Sequence, residues 1–200
     1  MTLIIGLTGS IGMGKTTTAQ MFREFDIPVF DADAAVHDLY KKDAVDRIED
    51  NFPGTKTKDG IDRKKLASYV IGHPDQLKKL EAIIHPLVQE KRSQFIKHHQ
   101  ERETPLIILD VPLLFETGTD NLCDKIVVVT ADAAIQKKRV LERNTMSEEQ
   151  LNEILKKQIP DQEKRARADH VIETDFGLNH ARQQVENIVK LYRSHGNEHA

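Results

Sequence analysis

Gly9-Ser10-Ile11-Gly12-Met13-Gly14-Lys15-Thr16 follows a short apolar run, Leu3 to Thr8, and precedes a helical pattern over about Thr16 to Phe25. The stretch matches G-x-x-x-x-G-K-[ST]. A strand before it and a helix after it form the context in which that match means a phosphate-binding loop. Glycines at this spacing let successive backbone N–H groups curl around phosphate oxygens, and the helix N-terminus adds partial positive charge. Lys15 is expected to reach the β- and γ-phosphates of a nucleoside triphosphate, and the Thr16 hydroxyl to ligate Mg²⁺. Gly12, Met13, Gly14 and Thr17 complete the candidate nucleotide seat.

Working outward, Ile27 to Phe30 reads as a second short strand, ended by Asp31-Ala32-Asp33. From Ala34 to Arg102 only helical patterns appear, broken at Pro53-Gly54, Asp59-Gly60, Gly72-His73-Pro74 and His85-Pro86. Strand signals return at Leu106 to Leu109 and Lys125 to Thr130. Asp132 is placed to cap a helix running through about Arg143. Ser147 and Gln150 form a capping box for another helix, with Leu151, Ile154, Leu155 and Gln158 along one face. Pro160 suits the first turn of the next helix. A short strand at His170 to Ile172 precedes a final helix, whose stripe is Leu178, Ala181, Val185, Ile188 and Tyr192.

Strands alternating with helices predict an α/β fold, a three-layer arrangement with a parallel sheet between helices. The helical stretch after the second strand is too long for a simple crossover. It is expected as a small inserted lobe over the carboxyl edge of the sheet, where such folds bind ligands. The chain then reads as one domain over 1–200, with its core at 1–33, 104–136 and 168–200, a lobe at 34–103 and a helical lid at 137–167.

A chain of 200 residues with 38% hydrophobic and 30% charged residues is globular, which excludes membrane and disordered classes. Lysine and arginine number 29 against 32 acids, a formal charge of −3, so nothing electrostatic points to a nucleic-acid or membrane partner. The single cysteine, Cys123, cannot form an internal disulfide and suits a reducing compartment. The stretch from Met1 to Gly6 has no basic n-region, so a cytoplasmic location is expected. A monomer is expected. The nine histidines include no His-Glu-x-x-His pair, so a dedicated metal cage is not expected.

Phosphate loops serve switches, motors and kinases. A guanine-specific Asn-Lys-x-Asp is absent, and Asp110 is followed by Val-Pro-Leu rather than a switch-type x-x-Gly. Motors and transport ATPases carry more chain than this. Asp175-Phe176-Gly177 spells the protein-kinase D-F-G, but no His-Arg-Asp loop or Val-Ala-Ile-Lys strand accompanies it, and it reads as a turn of chance composition. A small-molecule kinase remains. In Asp31-Ala32-Asp33, alternate residues of an extended stretch would present both carboxylates on one face. An aspartate N-cap for the following helix accounts for Asp31, leaving Asp33 to hold an attacking hydroxyl or accept its proton, worth ~10²–10⁴ in rate. Arg139 and Arg143, four apart on one helix face, suit a lid closing over transferring phosphates, where an arginine contributes ~10³–10⁵. A non-catalytic nucleotide sensor would need Lys15 but not Asp33.

Taken together, these segments resemble the dephospho-coenzyme A kinase family. The resemblance is carried by Gly6-Leu7-Thr8-Gly9 running into the phosphate loop, Ile27-Pro28-Val29 before Asp31-Ala32-Asp33, and Ile84-His85-Pro86-Leu87-Val88. Asp110-Val111-Pro112-Leu113-Leu114-Phe115-Glu116 extends it, as do Gln136 with Arg139 and Arg143, and Gln158 with Lys164 before Ala168-Asp169-His170-Val171-Ile172. The resemblance implies ATP on the loop with Lys15, Asp33 on the ribose 3′-hydroxyl of dephospho-CoA, and Arg139 and Arg143 acting from the lid. It also implies Thr8, His85 and the stretch from Asp110 to Glu116 on the acceptor side. For His85 the alternative is a helix boundary forced by Pro86, and for Asp110 a carboxylate near Mg²⁺; the residues alone do not separate these. Three positions depart from the family pattern: Ser10 for a usual glycine, His37 for a usual arginine, and Thr174-Asp175-Phe176-Gly177 for a usual asparagine turn.

Overall fold

The computed structural model describes residues 2–143 and 146–195; residues 1, 144, 145 and 196–200, which the expected core and lid ranges include, lie outside them. The central sheet holds β1 (Leu3–Thr8), β2 (Val29–Asp31), β5 (Leu106–Asp110), β6 (Lys125–Thr130) and β7 (His170–Glu173) in the order β2-β5-β1-β6-β7. β1 runs parallel to both neighbours, with Ile5 opposite Ile108 on one side and Leu7 opposite Val127 on the other, and β6 runs parallel to β7. Both faces of β1 and β5 are covered, which explains why these strands read as unbroken apolar runs. Ile5, Leu7, Ile108, Val127 and Val129 pack with Ala19 and Phe22 of α1 (Lys15–Glu24) and with Ala181, Val185 and Ile188 of α9 (Leu178–His195). The predicted α9 stripe needs one correction. Leu178 is 67% exposed, at the first position of the helix, and does not join the core.

Between β6 and β7 lie α6 (Ala133–Glu142), α7 (Glu148–Lys157) and α8 (Asp161–Ala166). Asp132 caps α6 by accepting the Ala134 N–H, and Ser147 with Gln150 makes the reciprocal capping box of α7, as their spacing predicts. Pro160 stands at the N-cap of α8, one residue before the helical turn expected for it.

The chain divides into two compact units, Met1–Phe30 with His99–Ala200, and Asp31–His98. Residues 137–167 group with the first unit. The second is built from α2 (Ala32–Leu39), α3 (Val45–Asn51), α4 (Arg63–Val70) and most of α5 (Pro74–Glu101). Its own core contains Leu39, Ile48, Phe52, Leu66, Leu80, Ile84 and Leu87. The purely helical expectation is corrected at two points. First, β3 (Lys56–Thr57) and β4 (Gly60–Ile61) form a small antiparallel ribbon at the predicted Asp59-Gly60 break. Glu49 holds it by accepting the N–H groups of Gly54 and Lys56, and these bonds keep its carboxyl below the usual range. Second, α5 runs through Pro86 without ending. Proline inside a helix costs about 3 kcal/mol. Burial of Leu80, Ile84 and Leu87 along the same helix offsets that at about 1.5–3 kcal/mol each.

Candidate active site

The phosphate loop is shaped by its own backbone and by close neighbours. Met13 N–H donates to Ser10 O at 3.1 Å, closing a turn. Gly12 has φ 80°, and a Cβ there would stand 2.6 Å from Val140 Cγ2, so only glycine fits. Gly9 is required for a different reason: a Cβ would meet the Val129 carbonyl oxygen at 2.6 Å, because the loop leaves β1 pressed against β6. Among the described residues only Asp26 and Glu103 are non-glycines with positive φ. Ser10 is therefore free of left-handed strain, and its small buried side chain replaces the usual glycine without a backbone penalty.

Lys15 opens α1, and Asp110 closes β5. Their side chains meet as an ion pair, Nζ to Oδ1 at 2.5 Å, with only 12% and 2% of the side-chain surface exposed. The pair holds the ammonium beside the loop instead of in solvent. Thr16 and Thr17 are exposed in the first turn of α1. The Thr16 hydroxyl makes no hydrogen bond within the described residues, so it is available as a ligand. Among the described residues no three His, Cys, Asp or Glu side chains cluster as a metal cage. A divalent cation arriving on phosphates needs only one or two protein oxygens. Thr16 and Asp110 supply hard oxygen donors of that kind, so the chain fits Mg²⁺.

A cleft of about 460 Å³ opens over the loop, lined by Gly12, Gly14, Thr17, Arg139, Arg143 and Thr174, among others. That is the size of a small-ligand site. Arg139 is already engaged: its Nη1 donates to Thr174 Oγ and its Nη2 to the Thr174 carbonyl, both at 2.7 Å. The Thr174 hydroxyl has one proton, shared between Met13 O at 2.9 Å and Thr130 O at 3.2 Å. One threonine thus ties the arginine to the loop. Arg143, the C-cap residue of α6, is exposed at the rim. The two guanidiniums and the α1 N-terminus put positive charge on this wall, against the one acid of the lining, Glu142.

The remaining predicted residues fall as follows. Thr8 is fully buried, and its hydroxyl proton is committed to Pro112 O at 3.0 Å, tying the β5 exit to β1 instead of facing a ligand. Asp31 is the N-cap of α2, accepting the Ala34 N–H at 2.9 Å. Asp33 therefore sits within the first turn of α2, not on an extended strand, and the shared-face reading of the two carboxylates is corrected. Its carboxylate is exposed and makes no hydrogen bond among the described residues. His85 lies in the middle of α5, exposed, so the helix-boundary alternative does not hold. His37 is exposed in the last turn of α2.

Three residues at the loop had no predicted role. Thr174 was visible only as a departure from a family pattern. Gln136 Nε2 donates to Ile11 O at 2.7 Å, and Ile11 N–H donates to Gln158 Oε1 at 3.4 Å. The available signals were the place of Gln136 and Gln158 among the residues that carry the family resemblance, and Gln158 falling on the apolar face of its helix, where an amide needs a partner.

A family model described as CoaE, dephospho-CoA kinase, matches residues 3–180. A dephospho-CoA kinase of Mesorhizobium japonicum is 50% identical over 191 residues, covering 96% of this chain and 97% of that protein. One from Bradyrhizobium diazoefficiens is 48% identical over 186 residues, covering 93% and 94%. Among solved structures, the dephospho-CoA kinase of Campylobacter jejuni superposes with a TM-score of 0.73 at 25% identity, covering 98% of this chain and all of that one.

Proposed function

The chain belongs to the dephospho-CoA kinase family, and from that premise we propose how its residues carry the reaction. It phosphorylates the ribose 3′-hydroxyl of dephospho-CoA at the expense of ATP, giving coenzyme A and ADP in the last step of coenzyme A synthesis. The observation that carries the assignment to this site is the cleft over the phosphate loop, walled by two arginines, within a family match spanning nearly the whole chain.

In our reading ATP occupies that cleft, with its phosphates on the N–H groups of the loop. Lys15 moves from Asp110 to the β- and γ-phosphates as they arrive; Thr16 and Asp110 would hold Mg²⁺, which would supply neutralisation of phosphate charge. The unit Asp31–His98 serves as the acceptor lobe, supported by its separate core. Asp33 orients the 3′-hydroxyl and takes its proton, supported by an exposed carboxylate that α2 does not use for capping. His85 is assigned to the acceptor side on the same lobe. α6 to α8 form the lid, with Arg139 on the transferring phosphoryl and Arg143 on the nucleotide. A monomer in the cytoplasm belongs to the same reading; the lone cysteine suits a reducing compartment and says nothing of the oligomeric state. No helix among the described residues is long and apolar enough to cross a membrane.

The test is ADP release with MgATP and dephospho-CoA, set against AMP, adenosine and shikimate as acceptors. Turnover confined to dephospho-CoA, with the product phosphorylated at the 3′-position, is the expected result. Turnover with another acceptor alone would break the assignment. In the same assay Lys15→Ala loses about 10²–10³ in turnover, the cost of removing one preorganised charge from a transition state. A loss under ten-fold would remove Lys15 from the chemistry.

A further inference from the structure

The backbone of Ile11 is held from both sides by side chains outside the loop. Its carbonyl accepts from Gln136 of α6, and its N–H donates to Gln158, the C-cap residue of α7. Loop peptides lack ladder partners, so the direction of their N–H and C=O groups is set by whatever bonds them. Ile11 immediately precedes Gly12, where φ 80° turns the chain into the phosphate seat. Fixing that peptide fixes the orientation from which the following N–H groups are presented.

Gln158 has a rotatable side chain and works only if its own backbone is fixed. That backbone is pinned on its far side. Ile159 N–H donates to Glu116 Oε1 at 2.9 Å, and Asp161 accepts the Thr130 hydroxyl at 2.7 Å. One turn along α8, Lys164 is fully buried, with Nζ 3.2 Å from the same Glu116 Oε1. Lys164 Nζ, Glu116 Oε2 and Asp161 Oδ1 are buried without hydrogen bonds. For packing alone, an apolar side chain of this volume would serve better, since buried ion pairs are a poor source of stability. What the ammonium adds is positive charge beside the oxygen that receives Ile159.

We infer that Gln136 and Gln158 are positioning residues for the phosphate loop, and that the buried Lys164–Glu116 pair holds Gln158 in that part. The inference rests on reading the loop as the nucleotide seat. Neither glutamine touches the reacting atoms in this scheme. They preorganise donors that would otherwise have to be ordered by the nucleotide itself.

The test is MgADP affinity by calorimetry on the full chain, with steady-state constants beside it, for Gln158→Leu, Lys164→Met and the double variant. Gln158→Leu weakens MgADP about ten-fold, with KM for dephospho-CoA changing less than two-fold. Lys164→Met acts in the same direction, and the double variant is no worse than Gln158→Leu, because both remove one interaction. Additive losses, or unchanged MgADP affinity with only a lowered melting temperature, would overturn the inference and leave the residues as packing. Wild-type protein that binds no MgADP would instead overturn the nucleotide seat itself. If Lys164→Met fails to fold, Lys164→Gln, which keeps a polar side chain but removes the charge, takes its place, with the same two outcomes.

Discussion

Arg139→Ala lowers kcat by about 10³-fold or more while the KM for dephospho-CoA stays within about three-fold. The guanidinium stands in the cleft over the loop with two of its donors spent on Thr174. Neutral carbonyl and hydroxyl acceptors hold it there. A transferring phosphoryl group offers several charged oxygens, and charge-assisted bidentate bonds are roughly twice as strong as neutral ones. An incoming triphosphate therefore draws the arginine from its resting partner at little cost. In the proposed reading its largest contact is made when charge spreads over the equatorial oxygens in the transition state, which places the expected loss in kcat and not in acceptor binding. The brace and the catalytic part separate cleanly. Thr174→Val removes the hydroxyl that links Arg139 to Met13 and Thr130 but keeps the carbonyl, and its effect stays below about ten-fold. A loss in Thr174→Val equal to that in Arg139→Ala would reduce the arginine to a strut. Arg139→Lys recovers little, since an ammonium cannot reproduce the planar fork.

Asp33→Asn lowers turnover by about 10²–10⁴-fold with MgATP affinity nearly unchanged. Asparagine keeps the size and one carbonyl oxygen, so it still accepts a hydrogen bond from the 3′-hydroxyl. It cannot take the proton, and it removes a negative charge that raises the oxygen's nucleophilicity. Because Asp31 and not Asp33 caps α2, the substitution leaves the Ala34 N–H satisfied and the helix start intact. Unchanged melting behaviour is therefore part of the expected result. Retention of more than about a tenth of wild-type turnover would take the acceptor role from Asp33.

The phosphate loop was legible because its geometry is local. Gly12 must turn with positive φ, Gly9 must let the loop pass the Val129 carbonyl, and a strand and a helix must flank them. Those demands fall within a few consecutive residues, so residue type and spacing report them. The caps at Asp132 and Ser147 were legible for the same reason. Pro86 misled because the local rule, that proline ends a helix, was outweighed by burial of Leu80, Ile84 and Leu87 against residues far along the chain. Leu178 misled in the opposite sense: its spacing is that of a core residue, but it stands exposed at the first position of α9 and lines the cleft, while Ala181 one turn on is buried.

The sequence by itself determined the parallel α/β core, the phosphate loop, the family resemblance and the candidates Lys15, Asp33 and Arg139. Each rests on short-range periodicity or on a motif read within one segment. Only the tertiary structure decided what those side chains meet. Asp110 reaches Lys15 from 95 residues away, Arg139 reaches Thr174 from 35, and Gln158 reaches Ile11 from 147. Such pairings are set by which strand ends lie side by side in the sheet order β2-β5-β1-β6-β7, a property of chain topology that no local pattern encodes.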